Sequence, residues 1–270
     1  MNEPLIDPRE QSNTLLKQRL ARQFGQAAKV YNDIAQVQLD IGFDGLQMLP
    51  QSGDSALDIG CGTGRLTRQL AHRFNKVFGI DLASGMIEVA KNDMGKTDNV
   101  QFSVADAEQL PFESGQFDCV FSSMALQWCI PIEASLGQVF SVLKPGGKAV
   151  LTILNDGSLN ELKASWAQVD SIPRVNQFLS HAQIVKGARS AGFVVEDAQK
   201  TYVTWHANTR AVLNSVKKIG AGVLSDTGNK ASLTRTTLAK LASAYESQYA
   251  INKHLPLTYQ VSFLLLEKPR

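Results

Sequence analysis

Cysteine and histidine are scarce in this 270-residue chain, at three and four, and each scarcity removes a class of chemistry. Cys61, Cys119 and Cys129 are odd in number and widely spaced, so they build neither a disulfide framework nor a metal-ligand pattern. They read as reduced thiols of a cytoplasmic protein, and no metal site is expected. His72, His181, His206 and His254 are scattered, and none joins a recognisable triad or metal cluster. No apolar run approaches the roughly 20 residues that a membrane span needs. The opening Met1-Asn2-Glu3-Pro4 lacks the basic stretch leading into an apolar one that marks a secretory signal. Basic and aromatic residues do not interleave in any run, which argues against a nucleic-acid partner. What remains, 44% hydrophobic and 19% charged, suits one soluble domain with a full core and room for an appended subdomain.

The most informative segment is Ala56-Leu57-Asp58-Ile59-Gly60-Cys61-Gly62-Thr63-Gly64, an apolar strand running into a glycine-rich turn. Arg65 to Leu70 follows with helical apolar spacing at Leu66 and Leu70. The glycines permit a sharp turn and let a ligand approach without a Cβ in the way. Cys61 fills a place in the turn where a small residue suffices, so it is not expected to be a nucleophile. Asp81 ends the next apolar run, 17 residues beyond Gly64, where a carboxylate can accept both hydroxyls of an adenosine ribose. A nucleoside cofactor is expected. Asp58 narrows the choice, because a carboxylate two residues before Gly60 would repel a pyrophosphate and suit a cofactor with a positive amino group and sulfonium.

The rest of the chain reads as strands alternating with helices, which predicts a doubly wound, mostly parallel α/β sheet of seven strands. One helical stripe spans 15–49, through Leu16, Leu20, Phe24, Ala27, Tyr31 and Ile34. Strands are expected at 55–60, 76–81, 99–104, 117–122 and 147–154, with helices at 64–74, 84–94 and 132–143. Ser84 is the expected N-cap of the second of these helices. Helices near 159–170 and 180–190 precede a strand-like run from Phe193 to His206, and Tyr259 to Leu266 reads as the closing strand. Four regions follow: an N-terminal helical segment at 1–50, a cofactor-binding core at 51–206, an inserted helical lid at 207–256, and the closing strand of the core at 257–270. The insertion is too long for an ordinary loop and carries helical stretches around 209–219 and 234–250.

The net charge of +2 hides an asymmetry. Residues 171–270 hold 13 Lys and Arg against 5 Asp and Glu, whereas residues 1–170 hold 14 against 20. Such a basic C-terminal region suggests an acidic partner steered toward the lid.

The pattern D-x-G-x-G-x-G followed by Gly79-Ile80-Asp81 resembles the S-adenosylmethionine site of class I methyltransferases, a Rossmann-like fold. Three segments are similar to that family in order. Val104 to Phe112 resembles its adenine-binding turn, Phe117 to Ser123 its fourth strand, and Leu143-Lys144-Pro145-Gly146-Gly147 the turn feeding its fifth. The fourth strand ends in Ser122-Ser123-Met124-Ala125, unlike the Asn-Pro-Pro-aromatic turn of many amino-methylating nucleic-acid enzymes. Ala125-Leu126-Gln127-Trp128-Cys129 and Lys217-Lys218-Ile219-Gly220-Ala221 resemble, more narrowly, the malonyl-acyl-carrier-protein O-methyltransferases of biotin synthesis. Phe24 to Tyr31, Trp166 to Asp170, Asn176 to Leu179 and Pro256 to Tyr259 resemble the same family.

The resemblance implies an enzyme that esterifies the free carboxylate of a malonyl thioester on acyl carrier protein. It implies cofactor contacts from Asp58, Gly60, Gly62 and Gly64, with Asp81 on the ribose and Leu82 and Met86 packed on adenine. Asp106 would accept from the adenine amino group, Ala107 would lend backbone, and Ser122 would border the methionine moiety through its carbonyl. Tyr31 and Trp128 are expected to position the acceptor, although either is equally readable as core. Asn176, Lys217 and Tyr259 are acceptor-side candidates, and Lys218 and Arg235 candidates for carrier docking. No acid–base residue is expected, because a carboxyl with pKa near 4 is ionised at neutral pH. Neutral donors or a distant cation are expected around it, since a gripping arginine would favour the ground state. Two other readings stay open on the residues alone: methylation of another small molecule, such as a quinone precursor or free dicarboxylate, and a non-catalytic S-adenosylmethionine-binding module.

Overall fold

The computed structural model describes residues 8–95, 97–218 and 234–270. One sheet of seven strands has the order β3-β2-β1-β4-β5-β7-β6. The strands are β1 (Gly53–Ile59), β2 (Phe74–Asp81), β3 (Val100–Val104), β4 (Phe117–Ser123), β5 (Leu143–Leu154), β6 (Val194–His206) and β7 (Leu255–Glu267). The helices are α1 (Pro8–Ile34), α2 (Gln36–Leu46), α3 (Arg65–Ala71), α4 (Ser84–Met94), α5 (Ile132–Val142), α6 (Asn160–Ala167), α7 (His181–Ser190), α8 (Thr209–Lys218) and α9 (Arg235–Tyr249). Every pairing is parallel except those of β7, which lies antiparallel between β5 and β6. The doubly wound α/β expectation holds. The chain runs outward through β2 and β3, then crosses back to β4 beside β1. That reversal leaves a crevice at the carboxyl ends of β1 and β4.

The central strands are nearly continuous apolar runs because helices cover both faces of the sheet. Leu57, Ile59, Val120 and Phe121 are all buried, and Ser55, Asp58, Ser122 and Thr152 are buried polar exceptions. On one face Leu57 and Val120 pack with Leu136 and Val139 of α5 and Ile184 of α7. On the other, Phe121 and Val150 meet Leu46 of α2 and Leu70 of α3. A further cluster joins Leu241 and Tyr245 of α9 to Leu257 and Tyr259 of β7 and Trp166 of α6. The Tyr245 hydroxyl donates to the Pro256 carbonyl at 2.7 Å, so this buried ring keeps its polar tip satisfied. The edge strand β6 carries Glu196, Asp197 and Lys200, charges that blunt edge-to-edge pairing.

Three local expectations differ from the structure. The helical stripe at 15–49 is two helices, because Ala35 (ψ 41°) redirects the chain between different packing partners. Gly25 of α1 lies against Gly85 of α4, whereas Gly45 of α2 lies against Thr152 and Phe121 of the sheet. Ser84 is not an N-cap. Ala83 occupies that position without a side-chain cap, and its N–H donates to Asp81 at 2.8 Å. The closing strand begins at Leu255, and its ladder with β6 runs from Val194 opposite Glu267 to His206 opposite Leu255.

Candidate active site

Two cavities open at the carboxyl ends of β1, β2 and β4, and Phe24, Tyr31, Met124 and Trp128 line both. The first surrounds the glycine turn and encloses about 820 Å³ including its open mouth, within the usual range for a small-molecule site. Gly60 (φ 72°) brings the turn against the segment after β4. A Cβ there would lie 2.2 Å from that of Ala125. Gly62 (φ 54°) has open space where its Cβ would be, so backbone faces the cavity there.

Asp81 ties this turn to the end of β2. Its Oδ2 accepts from Gly62 N–H at 3.0 Å and its Oδ1 from Ala83 N–H at 2.8 Å. Burial raises its pKa while the two backbone N–H groups pull the other way. An ionised carboxylate has about four acceptor sites, so two remain for a diol. Leu82, Met86 and Ala107 line the same cavity, an apolar setting suited to a flat base. Asp106 also lines it, but is already engaged. Its Oδ1 accepts from Glu108 N–H at 2.9 Å, and Lys17 of α1 bridges Asp106 Oδ2 at 2.7 Å and Glu108 Oε2 at 2.8 Å. Burial lowers the Lys17 pKa, but the two carboxylates outweigh it and leave it raised. Helix α1 is thereby held over the Asp106 end of this cavity.

Three expected cofactor residues stand behind the wall rather than on it. Asp58 is buried, and its Oδ2 accepts from the Thr67 hydroxyl at 2.6 Å, tying the strand end to α3. Burial pushes its carboxyl up to about 7, Thr67 works against that push, and Asp81 adds to it. A Cβ at Gly64 would lie 2.9 Å from the Phe102 ring, so this glycine serves the packing of α3 against β3. The buried Ser122 hydroxyl donates to the Ile59 carbonyl at 2.8 Å, and its neighbour Ser123 lines the cavity instead.

The second cavity brings together Tyr31, Trp128, Asn176 and Tyr259, four residues separated widely in the chain. Trp128 meets Phe24 of α1 edge-on at a centroid distance of 6.0 Å. Lys217 is exposed, and Val216 lines the cavity in its place. Arg235 is exposed at the start of α9; the side chain of Lys218 and residues Ile219, Gly220 and Ala221 lie outside the described residues.

Arg174 is the residue that sequence reasoning missed. Among the described residues it is the one charged side chain lining the second cavity. Asp170 holds it through Nε at 3.2 Å and NH2 at 2.7 Å, and its guanidinium sits 4.6 Å from the centre of the Trp166 ring. The available signal was Asp170 four residues before Arg174, just after Trp166. No histidine lines either cavity among the described residues. Burial pushes the Cys129 thiol up to about 12, which removes it as a nucleophile.

Comparison with known proteins agrees with this geometry. Residues 57–151, which run from β1 into β5, match the family described as Methyltransferase domain. The malonyl-[acyl-carrier protein] O-methyltransferase of Serratia marcescens is 33% identical over 248 residues, covering 90% of this chain and 95% of that protein. The chain belongs to that family. It is also 35% identical over 260 residues to the biotin biosynthesis bifunctional protein BioHC of Cellvibrio japonicus, covering 94% of this chain. It spans about half the length of such bifunctional relatives, 50% of the Cellvibrio protein and 47% of that from Saccharophagus degradans. Among solved structures, a Haloferax volcanii methyltransferase in complex with the Trm112 activator superposes with a TM-score of 0.61 at 20% identity, covering 93% of this chain and 98% of that one. The Haemonchus contortus phosphoethanolamine N-methyltransferase 2, solved with S-adenosylhomocysteine, gives a TM-score of 0.54 at 26% identity, over 87% of this chain and 53% of that one. The class I methyltransferase fold and its S-adenosylmethionine cradle follow from these likenesses. The residues present fit that cofactor: open backbone at Gly62, two spare acceptor sites on Asp81, and apolar walls at Leu82 and Met86.

Proposed function

We propose that this chain transfers a methyl group from S-adenosylmethionine to the free carboxylate of a malonyl thioester on acyl carrier protein, an early step of biotin synthesis. The observation that carries the reading is the second cavity, apolar, joined to the cofactor cradle, and charged only by Arg174 among its described lining. A carboxylate is the acceptor that such a wall favours. Membership of the malonyl-acyl-carrier-protein O-methyltransferase family supports the same substrate.

The bound cofactor supplies a methyl carried on a positive sulfur. Asp81 holds its ribose, Leu82, Met86 and Ala107 enclose the base, and Gly60 and Gly62 let the chain approach closely. The acceptor carboxylate is ionised at neutral pH, so no side chain is needed to remove a proton. Tyr31 and Trp128 border both cavities and therefore flank the line along which the attacking oxygen reaches the methyl. The tyrosine stays neutral, because burial and the nearby Asp81 raise its pKa. Arg174 attracts the acceptor carboxylate, while Asp170 offsets part of its charge and limits over-stabilisation of the ground state. Positioning and exclusion of water account for most of the acceleration.

Helices α8 and α9, within residues 207–256, form a lid over the acceptor cavity, with Val216 on its inner side. Lys217 and Arg235, both exposed, steer an acidic carrier toward the opening, a role proposed also for Lys218, whose side chain lies outside the described residues. The test is transfer of labelled methyl to malonyl-acyl carrier protein, malonyl-coenzyme A and free malonate in parallel. Base-labile label on the carrier is the expected result. No transfer to any malonyl acceptor, from protein that still binds S-adenosylhomocysteine, would overturn the reading.

A further inference from the structure

A third hollow adjoins the acceptor cavity and has no part in the mechanism above. Gln127, Leu154 and Phe178 line both, so the two spaces share a wall. The hollow runs between the segment Leu126–Ile132, after β4, and the exposed side of α7. Its walls alternate two chemistries. Apolar surface comes from Phe178, Ile130 and Leu179, the last two 49% and 38% exposed. Carboxamides come from Gln127, Gln177 and Gln183.

Gln127 supplies an independent sign that a ligand belongs there. Its Nε2 donates to the Met124 carbonyl at 2.7 Å, while its Oε1 is buried without a hydrogen-bond partner. A buried carbonyl oxygen left unpaired is costly, and a donor from outside the chain would satisfy it. At the outer end Lys186 projects from α7 into solvent, and Glu133 also lines the rim. Lys186 additionally lines an adjoining surface hollow with Arg189, three residues further along the same helix.

We propose that this groove is the subsite for the phosphopantetheine arm of the acceptor, a deduction that rests on the thioester reading of the acceptor cavity. If the malonyl carboxylate faces Arg174, the sulfur end must leave that cavity by a path open to solvent, and the groove lies next to it across Gln127, Leu154 and Phe178. A pantetheine arm is a thin chain of methylenes interrupted by two amides. The groove offers apolar stretches broken by carboxamides, and Gln127 among them holds an unpaired Oε1 that an amide N–H would satisfy. The arm ends in a phosphate, and Lys186 stands at the outer end beside Glu133, with Arg189, paired to Asp197, in the adjoining hollow.

The experiment compares initial rates on malonyl-N-acetylcysteamine, malonyl-pantetheine and malonyl-phosphopantetheine. Lys186→Glu is expected to raise the KM for the phosphorylated arm about tenfold more than that for the unphosphorylated one. Gln177→Trp, an exposed position that does not threaten folding, should fill the groove. It is expected to lower kcat/KM at least about tenfold on the two long arms and far less on the short thioester. Equal effects of each variant on all three thioesters, or no effect, would overturn the groove assignment while leaving the acceptor reading in place. A wild-type protein that turns over neither these three nor malonyl-acyl carrier protein would overturn both together.

Discussion

Arg174→Met is the sharpest test of the acceptor cavity, because methionine keeps an unbranched apolar stem on the Trp166 face and removes only the charge. A hydrogen bond to a charged group contributes about 1.5–3 kcal/mol. Loss of that interaction with the bound carboxylate raises KM for a malonyl thioester about 10–150-fold. The attacking oxygen gives up charge as the new bond forms, so the arginine stabilises the transition state less than the ground state. The kcat is therefore expected to stay level or rise a few-fold, and kcat/KM to fall by less than KM rises. Asp170→Asn acts in the opposite sense. It removes the carboxylate that holds Nε and NH2, leaves the cation unopposed, and should lower KM and kcat together. Initial rates at saturating S-adenosylmethionine separate the two parameters. Affinity for S-adenosylhomocysteine is the control for folding, because Arg174 is not on the cofactor wall. A collapse of kcat in Arg174→Met at unchanged KM would refute the ground-state argument and place the arginine in the chemical step.

Asp81→Ala removes two acceptor sites for the ribose and should weaken S-adenosylhomocysteine binding at least about a hundredfold with the fold intact, since each charged hydrogen bond contributes about 1.5–3 kcal/mol. Near-normal affinity by calorimetry would contradict the cradle. The Asp58 carboxyl, raised to about 7 from its ordinary 3.8, binds its proton more readily folded than unfolded. Stability therefore falls as pH rises between those values and levels off above them. Asp58→Asn should flatten that slope and stabilise the cofactor-free protein at pH 8 by at most about 4 kcal/mol; denaturant titrations at pH 5 and pH 8 measure both effects. Reversing Lys217 and Arg235 to Glu should raise KM for carrier-bound malonate about tenfold more than for malonyl-coenzyme A, with the difference shrinking at high salt. Equal changes on both substrates would remove the carrier-docking face.

The cofactor half of the site was legible in the sequence because it is made by local chain geometry. A strand, a glycine turn and an acid at the next strand end occupy Ala56 to Asp81, and each residue acts within a turn or one strand of its neighbours. What the sequence does not show there is which way each side chain turns. Ser122 and Ser123 alternate across β4, and the Ser122 hydroxyl turns to the Ile59 carbonyl while Ser123 lines the cavity. Asp58 likewise points toward Thr67 and the interior rather than into the cavity. The acceptor half was less legible for the converse reason. Its wall draws Tyr31 from α1, Trp128 from beyond β4, Arg174 from the stretch after α6, Val216 from α8 and Tyr259 from β7. Periodicity within any one element cannot show that these residues converge. On α8, the helical turn decides that Val216 faces inward while the adjacent Lys217 faces water, so the basic residue that invites attention belongs to the rim. The charge that matters inside is Arg174, and in sequence it looks like half of an ordinary Asp-x-x-x-Arg surface pair. Only the fold shows that this pair closes an apolar cavity, where a partly neutralised cation can select a carboxylate without holding it too tightly to react.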